Sequence, residues 1–297
     1  MQDVNLKLCK QSYRTKEAYK SLRTNIEFCG DDVHVISITS CTPSEGKSSV
    51  AMGLAMAFSE ARKRTLLVDA DLRKSVLVSR YRTGAVHMGL VHYLVGQQNV
   101  EDILCKTDAR NLYIAFSGPV PPNPSELMGC DRFKSFLEIA RHNFDIVVVD
   151  TPPLGSVIDA AVVATQCDGT VLVIEDNAIS YRFAQNVKDQ LARSGCRILG
   201  AVLNKVDMSA KGQYGHYGKY YGKYYGKYYG NYGEDAATKD IAQEQAKKLK
   251  PKDVPKQAKI TKAEIKKPGR VRIPSTIDDE IEVIDINKDN NTGKNED

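Results

Sequence analysis

A phosphate-binding loop is the part of the sequence best suited to chemistry. Residues 41–49 read CTPSEGKSS and match the pattern GxxxxGK[ST], except that Cys41 replaces the first glycine. In such loops the second glycine lets the backbone close on an anion, and N–H groups at the helix start point at phosphates. The substitution at Cys41 affects the tightness of the loop's first turn. The predicted nucleotide-binding residues are Thr42, Pro43, Ser44, Glu45, Gly46, Lys47, Ser48 and Ser49.

Carboxylates follow two apolar segments elsewhere in the chain. Asp150 ends FDIVVVD, as a Walker-B residue does, and Asp69 and Asp71 lie in LLVDADLRKS. A single aspartate at a strand end usually caps a helix. Three of them near a phosphate loop can instead ligate Mg²⁺ and accept a proton from an attacking hydroxyl. In this interpretation Lys47 neutralises the β- and γ-phosphates, Ser48 ligates Mg²⁺, and Asp150 holds the metal through water.

The segment Asn204-Lys205-Val206-Asp207 spells NKxD, which reads guanine in GTPases. The same letters also suit the end of a strand followed by a polar loop. The chain lacks the switch pattern of a GTPase, so we predict no guanine specificity. Asn204 remains a candidate contact for an adenine ring.

Nine of the fifteen tyrosines lie between positions 214 and 232, in a run with three copies of Lys-Tyr-Tyr-Gly. A Gly-Lys-Tyr repeat without aliphatic residues cannot build a core. By composition alone it could be a low-complexity linker, a strip that stacks on single-stranded nucleic acid, or an arm that accepts phosphate. The candidate acceptors are Tyr214, Tyr217, Tyr220, Tyr221, Tyr224, Tyr225, Tyr228, Tyr229 and Tyr232.

Alternating strands and helices must position these groups. We predict an α/β fold with a doubly wound, mainly parallel sheet of the P-loop NTPase type, whose ligands bind at the carboxyl ends of the strands. The predicted strands are residues 33–39, 65–69, 112–116, 146–150, 170–174 and 198–203. The predicted helices are residues 15–28, 47–61, 89–96, 100–104, 132–141, 159–165 and 180–193.

Charge divides the chain into blocks. Up to residue 210 there are 24 Lys+Arg and 23 Asp+Glu, whereas residues 211–233 hold four lysines and no acid. We therefore predict an N-terminal helical region (1–30), a nucleotide-binding domain (31–208), a tyrosine-rich arm (209–233) and a disordered charged tail (234–297). That tail either is solvated without a partner or touches an anionic surface.

Seven scattered cysteines without a CxxC pair indicate reduced thiols and a cytoplasmic protein, not a disulfide framework or a zinc site. Neither a signal peptide nor an apolar run of about eighteen residues is present, so we expect no membrane-spanning segment.

Taken together, the motifs resemble the bacterial tyrosine kinases of the capsule and exopolysaccharide type. The resemblance covers about residues 10–233 and rests on EAYKSLRTNI, TSCTPSEGKSS, LLVDADLRKS, PPNPSEL, FDIVVVDTPP and the tyrosine cluster. It implies ATP- and Mg²⁺-dependent autophosphorylation of the tyrosines between subunits, and control of polysaccharide polymerisation and export. The catalytic residues it implies are Lys47, Asp69 and Asp71; within this set we expect Asp69 to be the base and Asp71 a metal ligand.

The resemblance also implies partners. A transmembrane polysaccharide co-polymerase adaptor would activate the kinase at the inner face of the plasma membrane, and sugar-nucleotide enzymes are possible further substrates. Nucleic acid is not expected. Ring-like self-association in this family uses Glu-x-x-Arg-x-x-Arg; here the stripe is Glu17, Lys20 and Arg23, and lysine lacks the bidentate fork of arginine. A simple solvated helix face would explain the same charges.

Two other functions fit parts of the sequence. A switch ATPase of the chromosome- or division-site-positioning kind (ParA/MinD-like) has similar aspartates but transfers phosphate to water, and its loop carries an early lysine that residues 41–45 lack. A nucleotide-gated scaffold would use the aromatic, basic arm to bind a polymer, with strong salt dependence if the polymer is a nucleic acid.

Overall fold

The structure is a computed structural model that describes residues 2–7, 11–81, 86–206 and 283–284. The tyrosine-rich arm lies outside these residues, as does the predicted tail apart from residues 283–284. Within the described residues the strands are β1 (Gln2–Val4), β2 (Val35–Ser40), β3 (Thr65–Asp69), β4 (Leu104–Thr107), β5 (Leu112–Ala115), β6 (Ile146–Asp150), β7 (Gly169–Glu175), β8 (Ile198–Asn204) and β9 (Val283–Ile284).

These strands form one sheet in the order β1-β4-β5-β3-β6-β2-β7-β8-β9. Every pair of neighbours is parallel except β4 and β5, which are antiparallel. The predicted α/β class with a mainly parallel sheet is therefore confirmed. The strand that carries the phosphate loop, β2, lies between β6 and β7, with β3 beyond β6.

Helices connect the strands and cover both faces of the sheet. In chain order they are α1 (Tyr13–Glu27), α2 (Lys47–Glu60), α3 (Leu77–Tyr81), α4 (Leu90–Leu94), α5 (Val100–Ile103), α6 (Pro124–Gly129), α7 (Asp131–Asn143), α8 (Asp159–Ala164) and α9 (Tyr181–Arg193). Ser180, predicted as the first residue of α9, is instead its N-cap and accepts a hydrogen bond from the main-chain nitrogen of Phe183.

The central strands β2, β3 and β6 are buried along their whole length, because their alternate residues enter cores on opposite faces of the sheet. Ile36, Leu67 and Val148 pack in one core with α1 and α2. Leu66 and Val147 point the other way and pack with the phenylalanines of α7. Each fully buried side chain of this size contributes about 1.5–3 kcal/mol. The two cores hold the loops at the strand ends in fixed positions.

Four short elements in the main body were not predicted: β1, α3, β4 and α6. Strand β1 has three residues, and β4 has its lysine exposed between buried neighbours, so neither produces a clear hydrophobic period. Strand β9 was also not predicted; it lies parallel to β8 with Val283 opposite Ala201. These short strands depend on pairing with distant strands and not on local pattern.

Candidate functional site

The phosphate loop closes between the end of β2 and the start of α2. Gly46, the residue before α2, has φ +97°, a left-handed conformation that glycine adopts without strain. Ser44 also has a positive φ of 70°. Within the loop, the main-chain nitrogen of Thr42 donates to Glu45 Oε2 at 2.8 Å, and Ser40 Oγ donates to the Thr42 carbonyl at 2.8 Å. The predicted loop residues therefore form one internally bonded turn.

Cys41 is a buried packing residue of this loop. It is fully buried against Leu154 and Ala160, and burial, reinforced by Glu45, raises the pKa of its thiol to about 12. The thiol thus stays neutral at physiological pH. A Cβ on Gly155 would collide with the Cys41 carbonyl, so the segment that follows β6 lies very close to the phosphate loop at this point. The replacement of glycine by Cys41 leaves the loop closed.

The NKxD segment holds the phosphate loop from outside. Asn204 Nδ2 donates to the Glu45 carbonyl at 2.8 Å, and Lys205 Nζ donates to the Ser44 carbonyl at 2.8 Å. Lys205 also pairs with Glu175 at 2.8 Å. The bond to Ser44 restrains the residue whose backbone has the unusual positive φ. Sequence reasoning predicted an adenine contact for Asn204 and missed this role for both side chains.

Lys47 is the centre of the charge cluster. Its Nζ lies 2.9 Å from Asp71 Oδ2 and 3.5 Å from Asp150 Oδ1, and it also donates to Ser48 Oγ at 3.3 Å. Burial alone would lower the pKa of Lys47, but Asp150 and Asp71 outweigh it and the net shift is upward. Lys47 is therefore a firmly charged ammonium in a largely buried site.

Asp69 and Asp150 are paired residues at the tips of the neighbouring strands β3 and β6. Both are almost completely buried, and Asp69 Oδ2 accepts a hydrogen bond from Ser75 Oγ. Burial, with the nearby Asp150, raises the pKa of Asp69 to about 7. Burial also raises the pKa of Asp150, against the opposing effects of Lys47 and Ser48. The register of two strands thus accounts for the predicted meeting of these carboxylates.

Oxygen atoms in this cluster suit a divalent cation. Among the described residues, Asp69 Oδ1 and Asp150 Oδ1 are buried oxygens without a hydrogen-bond partner. Asp71 differs, because Oδ1 accepts from the Lys74 main-chain nitrogen at 3.0 Å while Oδ2 faces Lys47. Carboxylate and hydroxyl oxygens are the donors that Mg²⁺ prefers. This donor set therefore suits the cation: Asp150 Oδ1 lies 3.5 Å from Lys47 Nζ without a hydrogen bond, whereas both Asp71 oxygens accept one.

An ion pair beside the cluster was missed by sequence reasoning. Arg73 donates two hydrogen bonds, of 2.6 and 3.1 Å, to the Asp159 carboxylate. Ser125 Oγ donates to the same carboxylate at 2.6 Å. The pKa of Asp159 is lowered because these donors outweigh its burial. Arg73 and Ser125 stand in two of the motifs that carry the family resemblance, LLVDADLRKS and PPNPSEL. Their presence in those motifs was the available signal.

The charged residues of α1 point in two directions, towards solvent and towards α2. Lys20 Nζ lies 2.7 Å from Glu17 Oε1, and this pair faces solvent. Arg23 is less exposed, and its Nη1 donates to the Ala57 carbonyl of α2 at 2.9 Å. Self-association through these residues stays a prediction. The nine predicted acceptor tyrosines lie outside the described residues.

A phosphate loop and strand-tip carboxylates on a parallel sheet define a P-loop nucleotide-binding protein. In agreement, a family model described as an AAA domain matches residues 33–191, more than half of the chain. The tyrosine-protein kinase CpsD of Streptococcus agalactiae is 40% identical over 212 residues, covering 71% of this chain and 93% of the relative.

Solved structures point the same way. The kinase domain of the Escherichia coli tyrosine kinase ETK is 33% identical, with a TM-score of 0.63, covering 67% of this chain and 78% of that one. The chimerical protein CapA2B2 is 28% identical, with a TM-score of 0.62, covering 69% and 94%. The chain belongs to the bacterial tyrosine-kinase family, as its motifs predicted.

None of the helices in the described part of the chain combines the length and apolar character that a bilayer crossing requires.

Proposed function

We propose that this protein is an ATP-dependent protein-tyrosine kinase that phosphorylates its own C-terminal tyrosine cluster between subunits. Its output is the regulation of capsular or exopolysaccharide polymerisation and export. The observation that carries the proposal is the buried cluster of Lys47, Asp69, Asp71 and Asp150 beside a closed phosphate loop. Phosphoryl transfer is catalysed mainly by positioning and charge neutralisation, and this cluster provides both.

Each side chain has a distinct role in the proposed transfer. Lys47 holds the transferred phosphoryl group, and Ser48, Asp150 and Asp71 hold Mg²⁺, which when bound neutralises charge on the triphosphate. Asp69 accepts the tyrosine proton; its pKa of about 7 suits a general base at physiological pH. Ser75 orients the Asp69 carboxylate, and Lys74 and Lys47 orient Asp71.

Transfer between subunits is consistent with the length of chain available. About 7 to 25 residues lie between Val206, the last residue described before the arm, and the tyrosines. A glycine-rich chain of this length has a root-mean-square reach of about 15–30 Å and a limit near 85 Å. A neighbour's site is within that distance. A ring held by Glu17, Lys20 and Arg23 would supply such a neighbour.

The proposed setting is the inner face of the plasma membrane, where a transmembrane co-polymerase adaptor recruits and activates the kinase. The relatives are named as kinases, and the adaptor is what the resemblance to their family implies. Sugar-nucleotide enzymes are the proposed further substrates.

The test is incubation of the full chain with Mg²⁺ and γ-labelled ATP, beside Lys47→Met and a truncation after Ala210. A parallel set contains the adaptor's cytoplasmic segment. We expect label on the wild type that maps to residues 214–232 and is absent from both variants. Release of free phosphate without labelled protein, with the adaptor segment present, would replace this proposal by the switch-ATPase function.

A further inference from the structure

Helix α1 contacts the helix of the phosphate loop along a single stripe. Tyr19 OH donates to the Ser49 carbonyl at 3.2 Å, the Tyr19 ring lies on Gly53, and Arg23 donates to the Ala57 carbonyl at 2.9 Å. Positions 49, 53 and 57 are four residues apart, so they lie on one face of α2. The contact is therefore built from two side chains of α1 spaced to match α2.

The Tyr19–Gly53 contact requires a glycine. A Cβ on Gly53 would overlap three atoms of the Tyr19 ring. Gly53 is in a helix interior, where alanine normally stabilises by about 1 kcal/mol. Glycine at this position therefore lowers helix propensity but allows the Tyr19 ring to approach the α2 backbone closely.

The end of this stripe at Ser49 lies in the first turn of α2, beside the nucleotide site. Ser49 follows Lys47 and Ser48 directly in the first turn of α2, and its hydroxyl accepts from Arg80 Nη1. Burial raises the pKa of Tyr19, so its hydroxyl stays protonated and remains a donor. Ser49 is thus held through its carbonyl by α1 and through its hydroxyl by α3.

We propose that Tyr19 is a positioning residue for nucleotide binding, acting through the Ser49 carbonyl and Gly53 on the first turn of α2. Tyr19 touches no substrate; it fixes the turn from which Lys47 and Ser48 reach the phosphates. A helix end that is misplaced by a fraction of an ångström weakens several phosphate contacts together. Loss of the Tyr19 contacts should therefore be measured as weaker nucleotide binding. The proposal rests on the proposed nucleotide binding at this loop and adds a determinant of it.

The first test measures the dissociation constant of a non-hydrolysable ATP analogue with Mg²⁺ by calorimetry on the full chain. Tyr19→Phe keeps the ring on Gly53 and removes one hydrogen bond, so we expect affinity to fall about 2- to 12-fold. Tyr13→Phe is the matched control, because Tyr13 lies on the same helix and is 69% exposed. The control should bind like the wild type.

The second test uses Gly53→Ala alone and in a Tyr19→Ala background. Alone, the new methyl group displaces the ring, and we expect about a 10-fold or greater loss of affinity although alanine favours the helix. In the Tyr19→Ala background the same change should alter affinity less than about 2-fold, because the ring is gone. This non-additivity is a result that general destabilisation would not produce.

Unchanged affinity in folded Tyr19→Phe and Gly53→Ala proteins, with melting temperature the only quantity altered, would reduce Tyr19 to a packing residue and overturn the inference. The outcome is separable from the proposed function. A wild type that binds the analogue but labels no tyrosine would fail as a kinase while leaving the Tyr19 result intact. A wild type that binds no nucleotide would refute both.

Discussion

The side-chain amide of Asn204 lies 2.8 Å from the main-chain oxygen of Glu45, although 159 positions separate the two residues. The bond joins the end of β8 to the phosphate loop. It is made at the point where Gly46 leaves room for the amide, because a Cβ on Gly46 would overlap Asn204 Nδ2. The loop conformation, the glycine and the last strand of the main body therefore depend on one another.

Removing the amide should loosen the phosphate loop. For Asn204→Ala we expect about a 2- to 12-fold loss of affinity for ATP, the effect of one net hydrogen bond. Inorganic tripolyphosphate has no base, so an equal loss with this ligand in calorimetry identifies the loop contact. A loss confined to ATP would instead favour the adenine contact. Asn143→Ala is the control, since its amide also donates to a main-chain carbonyl but lies at the end of α7.

Gly46→Ala should weaken nucleotide binding strongly for two reasons, the positive φ and the collision with Asn204. Gly195→Ala controls for the stability cost of a positive φ, because Gly195 has φ +79° and no atom lies within 4 Å of the position that a methyl group would take there. We expect both variants to lose about 1 kcal/mol of stability from the backbone. Affinity for ATP should fall more than about 100-fold in Gly46→Ala and stay unchanged in Gly195→Ala. Equal affinities in the two variants would show that Gly46 has no local role in nucleotide binding.

Asp69 predicts a pH effect on stability in nucleotide-free protein with a chelator. Its pKa is about 7 when folded and about 3.9 when unfolded. Its favourable contribution to the free energy of unfolding is complete below pH 4. The contribution is lost as pH rises through 7, because the unfolded chain releases the Asp69 proton more easily than the folded chain does.

Asp69→Asn removes that titration. As pH rises from 4 to 8, the free energy of unfolding of the variant should therefore increase relative to that of the wild type, by up to about 4 kcal/mol. Urea unfolding at several pH values measures the gap. Asp131→Asn, at an exposed position, should show no comparable trend. A gap that stays constant across this range would mean that Asp69 is ionised at pH 5 in the folded protein.

The sequence predicted those parts of the site that each follow from a local pattern. Apolar strands ending at Asp69 and Asp150 fixed both strand tips, and GKSS fixed the start of α2. Because parallel strands share a carboxyl edge, the meeting of these residues could be predicted without knowing the strand order.

The contacts that were missed join segments distant in the chain. Neither the pairing of Arg73 with Asp159 nor that of Lys205 with the Ser44 carbonyl produces any local periodicity. Antiparallel β4 was missed for the same reason, since its place is set by β1 and β5. Such contacts require the fold itself.

Asp168 makes the opposite pH prediction, at the other end of the sheet. Its Oδ2 accepts from the main-chain nitrogens of His34 and Val35 at 2.8 and 2.7 Å and from Arg141 Nη1 at 2.6 Å. Burial alone would raise the pKa of Asp168, but Arg141 and the two amides outweigh it and lower the pKa. The stabilisation is therefore present above pH 4 and disappears as pH falls through the folded pKa.

Asp168→Asn should lower the free energy of unfolding by about 1–3 kcal/mol at pH 7, as expected for hydrogen bonds to a charged group. The difference from the wild type should shrink towards pH 3, whereas the exposed Asp31→Asn should change little at either pH. Because Val35 begins β2 and Lys47 follows its opposite end, ATP affinity of the folded variant at 25 °C should equal that of the wild type. A variant with normal stability and weakened ATP binding would show that this end of the sheet communicates with the phosphate loop.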